Sequence, residues 1–205
     1  YKRQAAWHLL DRGYRRFGFY GITDVWYSEG YEAGFCHELS TRGLDCSVLN
    51  VAATLGSKTR WDIGQGELEL WLGTIRPPFA VMAAHDPRAA MVIRACERVG
   101  LRVPDDVAVI GVNNDTVSCE SCHPPLSSIE RNDAEIGEEA ARLLDRLIQG
   151  KEVSTGEKIV APGTVQDRQS TDSLAVDHPD LLKAIEYSRE HFCKPIGVAD
   201  IVDAN

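Results

Sequence analysis

The chain has 205 residues and a formal net charge of -9 at pH 7, which excludes a large nucleic-acid footprint on these residues, because phosphate binding needs clustered Lys and Arg. This length suits one domain and a small second one. No apolar run approaches the roughly 18 residues of a membrane span, and no charged-then-apolar leader opens the chain. The 6 cysteines are scattered and a chain of this size needs no disulfides, so we expect reduced thiols and a cytoplasmic location.

Short apolar runs alternate with helical repeats along the chain, and Gly or Pro stands at most of the boundaries. Strands are expected at 16–21, 46–51, 79–84, 107–112, 126–130 and within 158–165. Helices are expected at 4–12, 27–39, 68–75, 87–99 and 133–149. Strands and helices that alternate in this way predict an α/β fold with a parallel sheet and right-handed crossovers.

The stretch VAVIGVNND, from Val107 to Asp115, is the most informative in this pattern. A buried strand ends there in three polar side chains, and in open α/β sheets ligands bind just beyond the carboxyl ends of the strands. Polar or aromatic residues also follow the first and third strands. We therefore expect a ligand site at this edge of the sheet.

Three segments together resemble the sensor domains of lactose/galactose-type repressors, which share their fold with periplasmic sugar-binding proteins. They are AAWHLLDRGYRRFGFYG with EGYEAGF, FAVMAAHDPRAAMVIRACERVGLRVPDDVAVIGVNND, and PPLSSIERNDAEIGEEAARLLDRLIQG. The tail, PGTVQDRQSTDSLAVDHPDLLKAIEYSREHFCKPIGVADIVDAN, resembles the junction in regulators of xylose operons. There a repressor-type sensor is joined to a helix-turn-helix domain of the arabinose-regulator type. The resemblance covers essentially the whole chain.

The resemblance implies ligand contacts on several loops at one edge of the sheet. The residues that match sugar-contact positions or lie in the ligand-facing loop are Asp86, Arg88, Asn113, Trp26 and Tyr27. Carboxylate, amide and guanidinium groups suit vicinal hydroxyls, and an aromatic ring packs on the apolar face of a sugar. Two departures bear on sugar identity: Asn113 stands where the family usually has Asp, and an Arg often found before the EAGF segment is absent.

Each of these residues also has a purely structural interpretation. Asp86 makes a good helix N-cap with Pro87 at the first helical position. Arg88 in a first helical turn is usually a solvated side chain, although a cation is mildly unfavourable there. Asn113 suits an Asx turn, and Trp26 suits the core. The sequence leaves both interpretations open.

The resemblance also implies a domain division, in which this chain is a piece of a longer regulator. Its parts would be a partial sensor domain at 1–166 (second lobe 1–125, crossing to the first lobe 126–150, return 151–166), a polar linker at 167–178, and the start of a DNA-binding domain at 179–205. The first lobe would then precede this chain and the recognition helix would follow it. Accordingly, the apolar face of the helix at 133–149 should lack its native sheet.

The predicted function is that of a sugar-responsive transcription regulator, with xylose or a related pentose as ligand. Its expected partners are a small sugar, operator DNA through the truncated domain, and a second copy of the chain, but no membrane. A periplasmic sugar-binding protein of a transporter is the alternative. A third interpretation, an enzyme or redox protein, rests on the haem-attachment-like run from Cys119 to His123. No other catalytic, cofactor or metal motif occurs, so we expect no enzyme, cofactor or metal.

Overall fold

The computed structural model describes residues 1–53, 58–153, 156, 158–173, 175 and 179–203. Its strands are β1 (Phe17–Ile22), β2 (Cys46–Val51), β3 (Phe79–Ala83), β4 (Val107–Asn113), β5 (Ser127–Glu130) and β6 (Val165–Gln166). Its helices are α1 (Lys2–Asp11), α2 (Trp26–Ser40), α3 (Lys58–Thr74), α4 (Asp86–Val99), α5 (Thr116–Glu120), α6 (Asp133–Ile148), α7 (Pro179–His191) and α8 (Val198–Asp203), with a 3-10 turn at Gln169–Thr171.

The strands form one sheet in the order β2-β1-β3-β4-β5-β6. β1 to β5 run parallel and β6 is antiparallel to β5, so the predicted α/β fold with a parallel sheet is confirmed. β3 is buried along its whole length, as its uninterrupted apolar sequence FAVMA requires of a central strand covered on both faces.

The core consists of two layers, one on each face of the sheet. On one face Leu68 and Val92, from α3 and α4, pack in a cluster with Val109 of β4. On the other face Leu9 and Phe35, from α1 and α2, pack in a second cluster with strand residues of opposite pleat. Burial on both faces fixes the strands, and the loops at their carboxyl ends are thereby held at one edge.

Residues 127–130 differ from the expected lobe assignment. β5 (Ser127–Glu130) pairs in parallel with β4, with Ile110 opposite Ser127 and Asn113 opposite Glu130. These residues therefore complete the sheet of 1–125, and any crossing to another lobe begins after Glu130. This pairing satisfies the backbone donors and acceptors of β5 and of the facing edge of β4, which would otherwise lie open.

Helix α6 leaves its apolar side exposed to solvent. Leu144 and Leu147 are 58% and 59% exposed, and Ile148 is 76% exposed. This exposure is what we expect of an amphipathic helix without its sheet. The helix starts without a capping box: Asn132 has a left-handed backbone (φ 61°) and makes no side-chain cap, and its amide donates to the Glu135 side chain instead.

The polar stretch after β6 is not a solvated linker at its start. Ser170 and Thr171 are fully buried, and the Ser170 hydroxyl donates to the Val109 carbonyl at 2.6 Å and accepts from the Ser127 amide at 2.8 Å. The Ser170 hydroxyl takes the place of water as the partner of these strand backbone groups. The polar composition of the stretch therefore did not indicate whether its side chains are exposed. Residues 174 and 176–178 of the predicted linker, and 154, 155 and 157 of the predicted return, lie outside the described residues.

Helices α7 and α8 face the amino-terminal edge of the sheet. A cavity of about 780 Å³ lies between α7, where Leu181 and Ile185 line it, and the loops entering β4 and β5, where Val103 and Pro124 line it. This edge is opposite to the one at which the predicted ligand residues lie. In the part of the chain that the structure describes, no helix combines the length and hydropathy needed to cross a lipid bilayer.

The buried 3-10 turn predicts a stability difference between two adjacent positions. Ser170→Ala should lower the free energy of unfolding by about 2 kcal/mol, because the buried Ser127 amide loses its acceptor. Gln169→Ala, at an exposed neighbouring position, should change it by about 0.5 kcal/mol or less. Urea unfolding of the three proteins measures both. Equal losses for the two variants would contradict the role of the Ser170 hydroxyl.

His8 predicts a pH dependence of stability. Burial, and next the charge of Arg12, lower the pKa of His8 from its usual 6.5 to about 4. Protons therefore bind the unfolded state better, and the contribution of neutral His8 is present above pH 6.5 and lost as the pH falls toward 4. His8→Gln should flatten the fall in unfolding free energy across this window, measured by urea unfolding at several pH values. The exposed His37→Gln variant should keep the wild-type profile, and a His8→Gln profile identical to wild type would contradict this origin.

Candidate functional site

The loops after β1, β3, β4 and β5 leave the sheet at one edge, which we call the ligand rim. It carries all the residues predicted to contact a ligand: Trp26 and Tyr27 at the start of α2, Asp86 and Arg88 at the start of α4, and Asn113 at the end of β4. Because the carboxyl ends of parallel strands share an edge, separate loops come together here as the sequence predicted. Their side chains differ greatly in exposure.

Asp86 lies beneath the rim and is fully buried. Its Oδ1 accepts from the Ser128 hydroxyl at 2.5 Å and its Oδ2 accepts from the Asp115 backbone N–H at 2.7 Å. Burial raises the pKa of Asp86, and these two hydrogen bonds oppose that rise. The carboxylate lies so close to β4 that a Cβ atom at Gly111 would collide with Asp86 Oδ1. Asp86 thus ties the exits of β3, β4 and β5 together, with both oxygens already engaged.

Arg88 is also withdrawn from the surface, with 4% of the residue exposed. Its guanidinium donates to the Tyr20 hydroxyl at 2.8 Å and to the backbone carbonyls of Val51 and Ala52 at 3.2 Å each, and it lies 5.0 Å from the centroid of the Tyr20 ring. These bonds join α4 to the ends of β1 and β2. These acceptors offset the cost of a buried cation in the first turn of a helix, where the helix dipole also disfavours one.

Asn113 and Asn114 form a left-handed turn at the exit of β4, with φ values of 105° and 53°. Asparagine tolerates this region better than most residues, although the conformation persists only where neighbours hold it. The amide N–H of Asn114 donates to the Ser128 hydroxyl at 3.0 Å. The side chain of Asn113 is half-buried and forms no hydrogen bond among the described residues, so its amide is available at the rim.

His85 is a rim residue that the sequence analysis did not single out. Its Nδ1 accepts from the Arg88 backbone N–H at 3.2 Å, which makes His85 the N-cap of α4 and moves Asp86 from the predicted N-cap to the first helical position. Burial and the charge of Arg88 lower the pKa of this half-buried imidazole, which favours its neutral form. With Nδ1 accepting, Nε2 carries the proton and is a donor. The sequence feature that could have identified His85 was its position just after a buried strand, as with Asn113.

The two aromatic residues lie at the rim in different surroundings. Trp26 is 83% exposed, which corrects the alternative that it belongs to the core. Tyr27 is half-buried, and its ring contacts Trp26 edge-on at a centroid distance of 5.9 Å and Tyr31 at 6.0 Å. An exposed indole beside an anchored phenol offers an apolar surface of the kind that packs on a sugar ring.

The cysteines after β4 face the interior rather than a reaction site. Cys119 is fully buried, and burial raises its pKa to about 12, with the charge of Asp86 acting in the same direction. Burial also raises the pKa of Cys122, whose thiol donates to the Ser118 carbonyl at 3.1 Å. Both thiols are therefore protonated and unreactive near neutral pH. Nowhere in the described ranges do three or more His, Cys, Asp or Glu side chains converge as a metal site would require.

The fold and its rim define a class of protein. A family model for the periplasmic binding protein-like domain matches residues 6–171, and the chain belongs to this family. Among curated proteins it is similar to the xylose operon regulatory protein of Escherichia coli K12, with 32% identity over 96% of this chain and 50% of that protein. The corresponding protein of Haemophilus influenzae is 30% identical over 96% of this chain and 51% of its own length.

Solved structures agree with this assignment. The structure described as the xylose-binding transcription activator xylR is 30% identical, with a TM-score of 0.79, and the alignment covers 98% of this chain and 53% of that one. A LacI-family regulator from Rhizobium etli is 26% identical with a TM-score of 0.71, over 82% of this chain and 61% of that one. The chain thus spans about half the length of these curated relatives.

The geometry separates residues that hold the rim from residues that are open to a ligand. Asp86→Ala should lower the free energy of unfolding by about 2 kcal/mol, because the buried Ser128 hydroxyl and Asp115 amide lose their acceptor. Asn113→Ala should lower it by about 1 kcal/mol, because no side-chain hydrogen bond is lost and the cost is that of alanine at a positive φ. Thermal or urea unfolding measures both. A larger loss for Asn113→Ala than for Asp86→Ala would contradict this division.

Proposed function

We propose that this chain is the ligand-sensing part of a sugar-responsive transcription regulator that binds xylose or a related pentose. The observation that carries the proposal is the extent of similarity to xylose operon regulatory proteins. The similarity covers 96% of the chain, whereas the sensor-family model ends at residue 171. It therefore extends beyond the sensor domain into α7, a segment for which a transporter's binding protein has no use.

The rim supplies groups that suit a pentose. The Asn113 amide both donates and accepts, and the neutral His85 imidazole donates through Nε2, so they match neighbouring hydroxyls of a sugar ring. We assign direct contact to these two side chains and stacking to Trp26 or Tyr27. Asp86 and Arg88, which the resemblance placed among the contacts, act by holding the loops in position, because their polar atoms already bond to protein groups.

The domain division follows from the same proposal. Residues 1–130 and 158–172 form one lobe of the sensor, and α6 belongs to the crossing toward another lobe, whose sheet covers its apolar side. Residues from 179 onward begin the DNA-binding domain. In the intact regulator, sugar held between the lobes shifts the population of the DNA-competent arrangement. Such a regulator works in the cytoplasm as a homodimer.

Sugar binding by the intact regulator tests this function. Isothermal titration with a panel of pentoses and hexoses should show the tightest binding for xylose or a close stereoisomer. Asn113→Ala and His85→Ala should each raise the Kd about tenfold, as expected for a lost hydrogen bond to a buried polar ligand. Arg94→Ala, an exposed position on α4, is the matched control and should bind as wild type. If no sugar of the panel binds, the proposed function is contradicted. Unchanged Kd values for both rim variants would contradict the proposed site.

A further inference from the structure

One side chain links the ligand rim to the segment that leads to α7. The guanidinium of Arg168 donates through Nη2 to the Asn114 side-chain carbonyl at 2.9 Å and through Nη1 to the Leu126 backbone carbonyl at 2.9 Å. Asn114 is the second residue of the left-handed turn and directly follows Asn113. Any change in the backbone at Asn113 therefore moves an acceptor that Arg168 holds.

The backbone on the other side of Arg168 is fixed to the sheet and continues toward α7. Its own N–H donates to the Ser127 hydroxyl at 2.8 Å, and the next three residues form the 3-10 turn. Gln169 and Asp172 line the cavity that α7 lines from its other side. The segment 168–172 thus connects the ligand rim with the opposite edge of the sheet, and the 10 residues 169–178 separate Arg168 from Pro179, where α7 begins.

The turn at Asn113 and Asn114 is a strained segment that neighbouring groups hold in place. Both residues occupy a backbone region that is unfavourable for non-glycine residues and that persists only when neighbours over-determine it. Three groups hold it: the Ser128 hydroxyl, the Asp86 carboxylate through the Asp115 N–H, and the Arg168 guanidinium. Ser128 belongs to β5, and Asp86 is the first residue of α4. Arg168 alone among the three belongs to the segment that leads to α7.

We propose that Arg168 couples the ligand rim to the DNA-binding segment by reporting the conformation of the Asn113–Asn114 turn to residues 168–172. The inference rests on the proposed function, because it needs a sugar at Asn113 and a DNA-binding domain that begins with α7. Arg168 does not touch the sugar; it is a positioning residue. Removing its bond to Asn114 should leave sugar binding nearly intact and weaken the effect of sugar on operator affinity.

A double-mutant cycle in the intact regulator tests the coupling. Its arms are Arg168→Met, which keeps the apolar stem, Asn114→Gly, which tolerates the left-handed backbone without the side-chain acceptor, and the double variant. Asn114→Asp keeps an acceptor for Arg168 and serves as the conservative rescue. Arg94→Met is the control for the loss of an exposed arginine. For each protein, titration calorimetry gives the xylose Kd, and fluorescence anisotropy gives the operator Kd with and without xylose.

The expected result is a split between the two measurements. The xylose Kd should stay within about threefold of wild type in Arg168→Met, Asn114→Gly and the double variant. The xylose-dependent change in operator Kd should become at least about fivefold smaller, by the same factor in all three proteins. Asn114→Asp and Arg94→Met should keep the wild-type change.

Three results would overturn the inference. The first is an unchanged effect of xylose on operator Kd in Arg168→Met and Asn114→Gly. The second is additive losses of that effect in the double variant. The third is a loss of xylose binding in proportion to the loss of the effect, which marks a purely structural role. Circular dichroism confirms that each variant is folded, and Asn114→Gly provides the test if Arg168→Met is not. Failure of the proposed function is recognised separately, because wild type itself would then bind no sugar or show no xylose effect on operator affinity.

Discussion

The Asp86 carboxylate accepts hydrogen bonds from the Ser128 hydroxyl and the Asp115 N–H, and through them it joins the loops after β3 and β4 to β5. A buried carboxylate is costly unless its oxygens are satisfied, so the bond network and the loop arrangement require each other. The same network positions the Asn113–Asn114 turn. Arg88 performs the equivalent task at the ends of β1 and β2. The positions of the rim loops are therefore set by buried hydrogen-bonding groups that lie beneath them.

This arrangement divides the work between two kinds of residue. The buried charged residues hold loop geometry, while the half-buried neutral residues, Asn113 and His85, remain able to exchange water for the hydroxyls of a ligand. Neutral groups suit a neutral sugar because they lose less hydration on binding than charged groups do. The side-chain amide of Asn113 offers a donor as well as an acceptor, whereas a carboxylate at this position would offer acceptors only.

Much of the fold was predictable from the sequence, because uninterrupted runs such as FAVMA and helical repeats ended by Gly give local signals. The edge at which the candidate residues lie was also predictable, because the carboxyl ends of parallel strands share one edge of the sheet. The burial of Asp86 was not, since its partner Ser128 lies 42 residues away and nothing in LSSIE marks a serine as buried. The position of Ser170 shows the same limit: a hydroxyl bonded to strand backbone and one bonded to water look alike in sequence. His85 was missed because N-cap geometry depends on one residue of register.

The most direct test of this account is a crystal structure of the intact regulator with xylose bound. The account predicts sugar hydroxyls within hydrogen-bond distance of the Asn113 amide and His85 Nε2 at the carboxyl edge of the sheet. It also predicts that the Asp86 carboxylate still accepts from Ser128 and Asp115. A sugar bound at another edge, or an Asp86 carboxylate that has left both partners to bind the sugar, would contradict it.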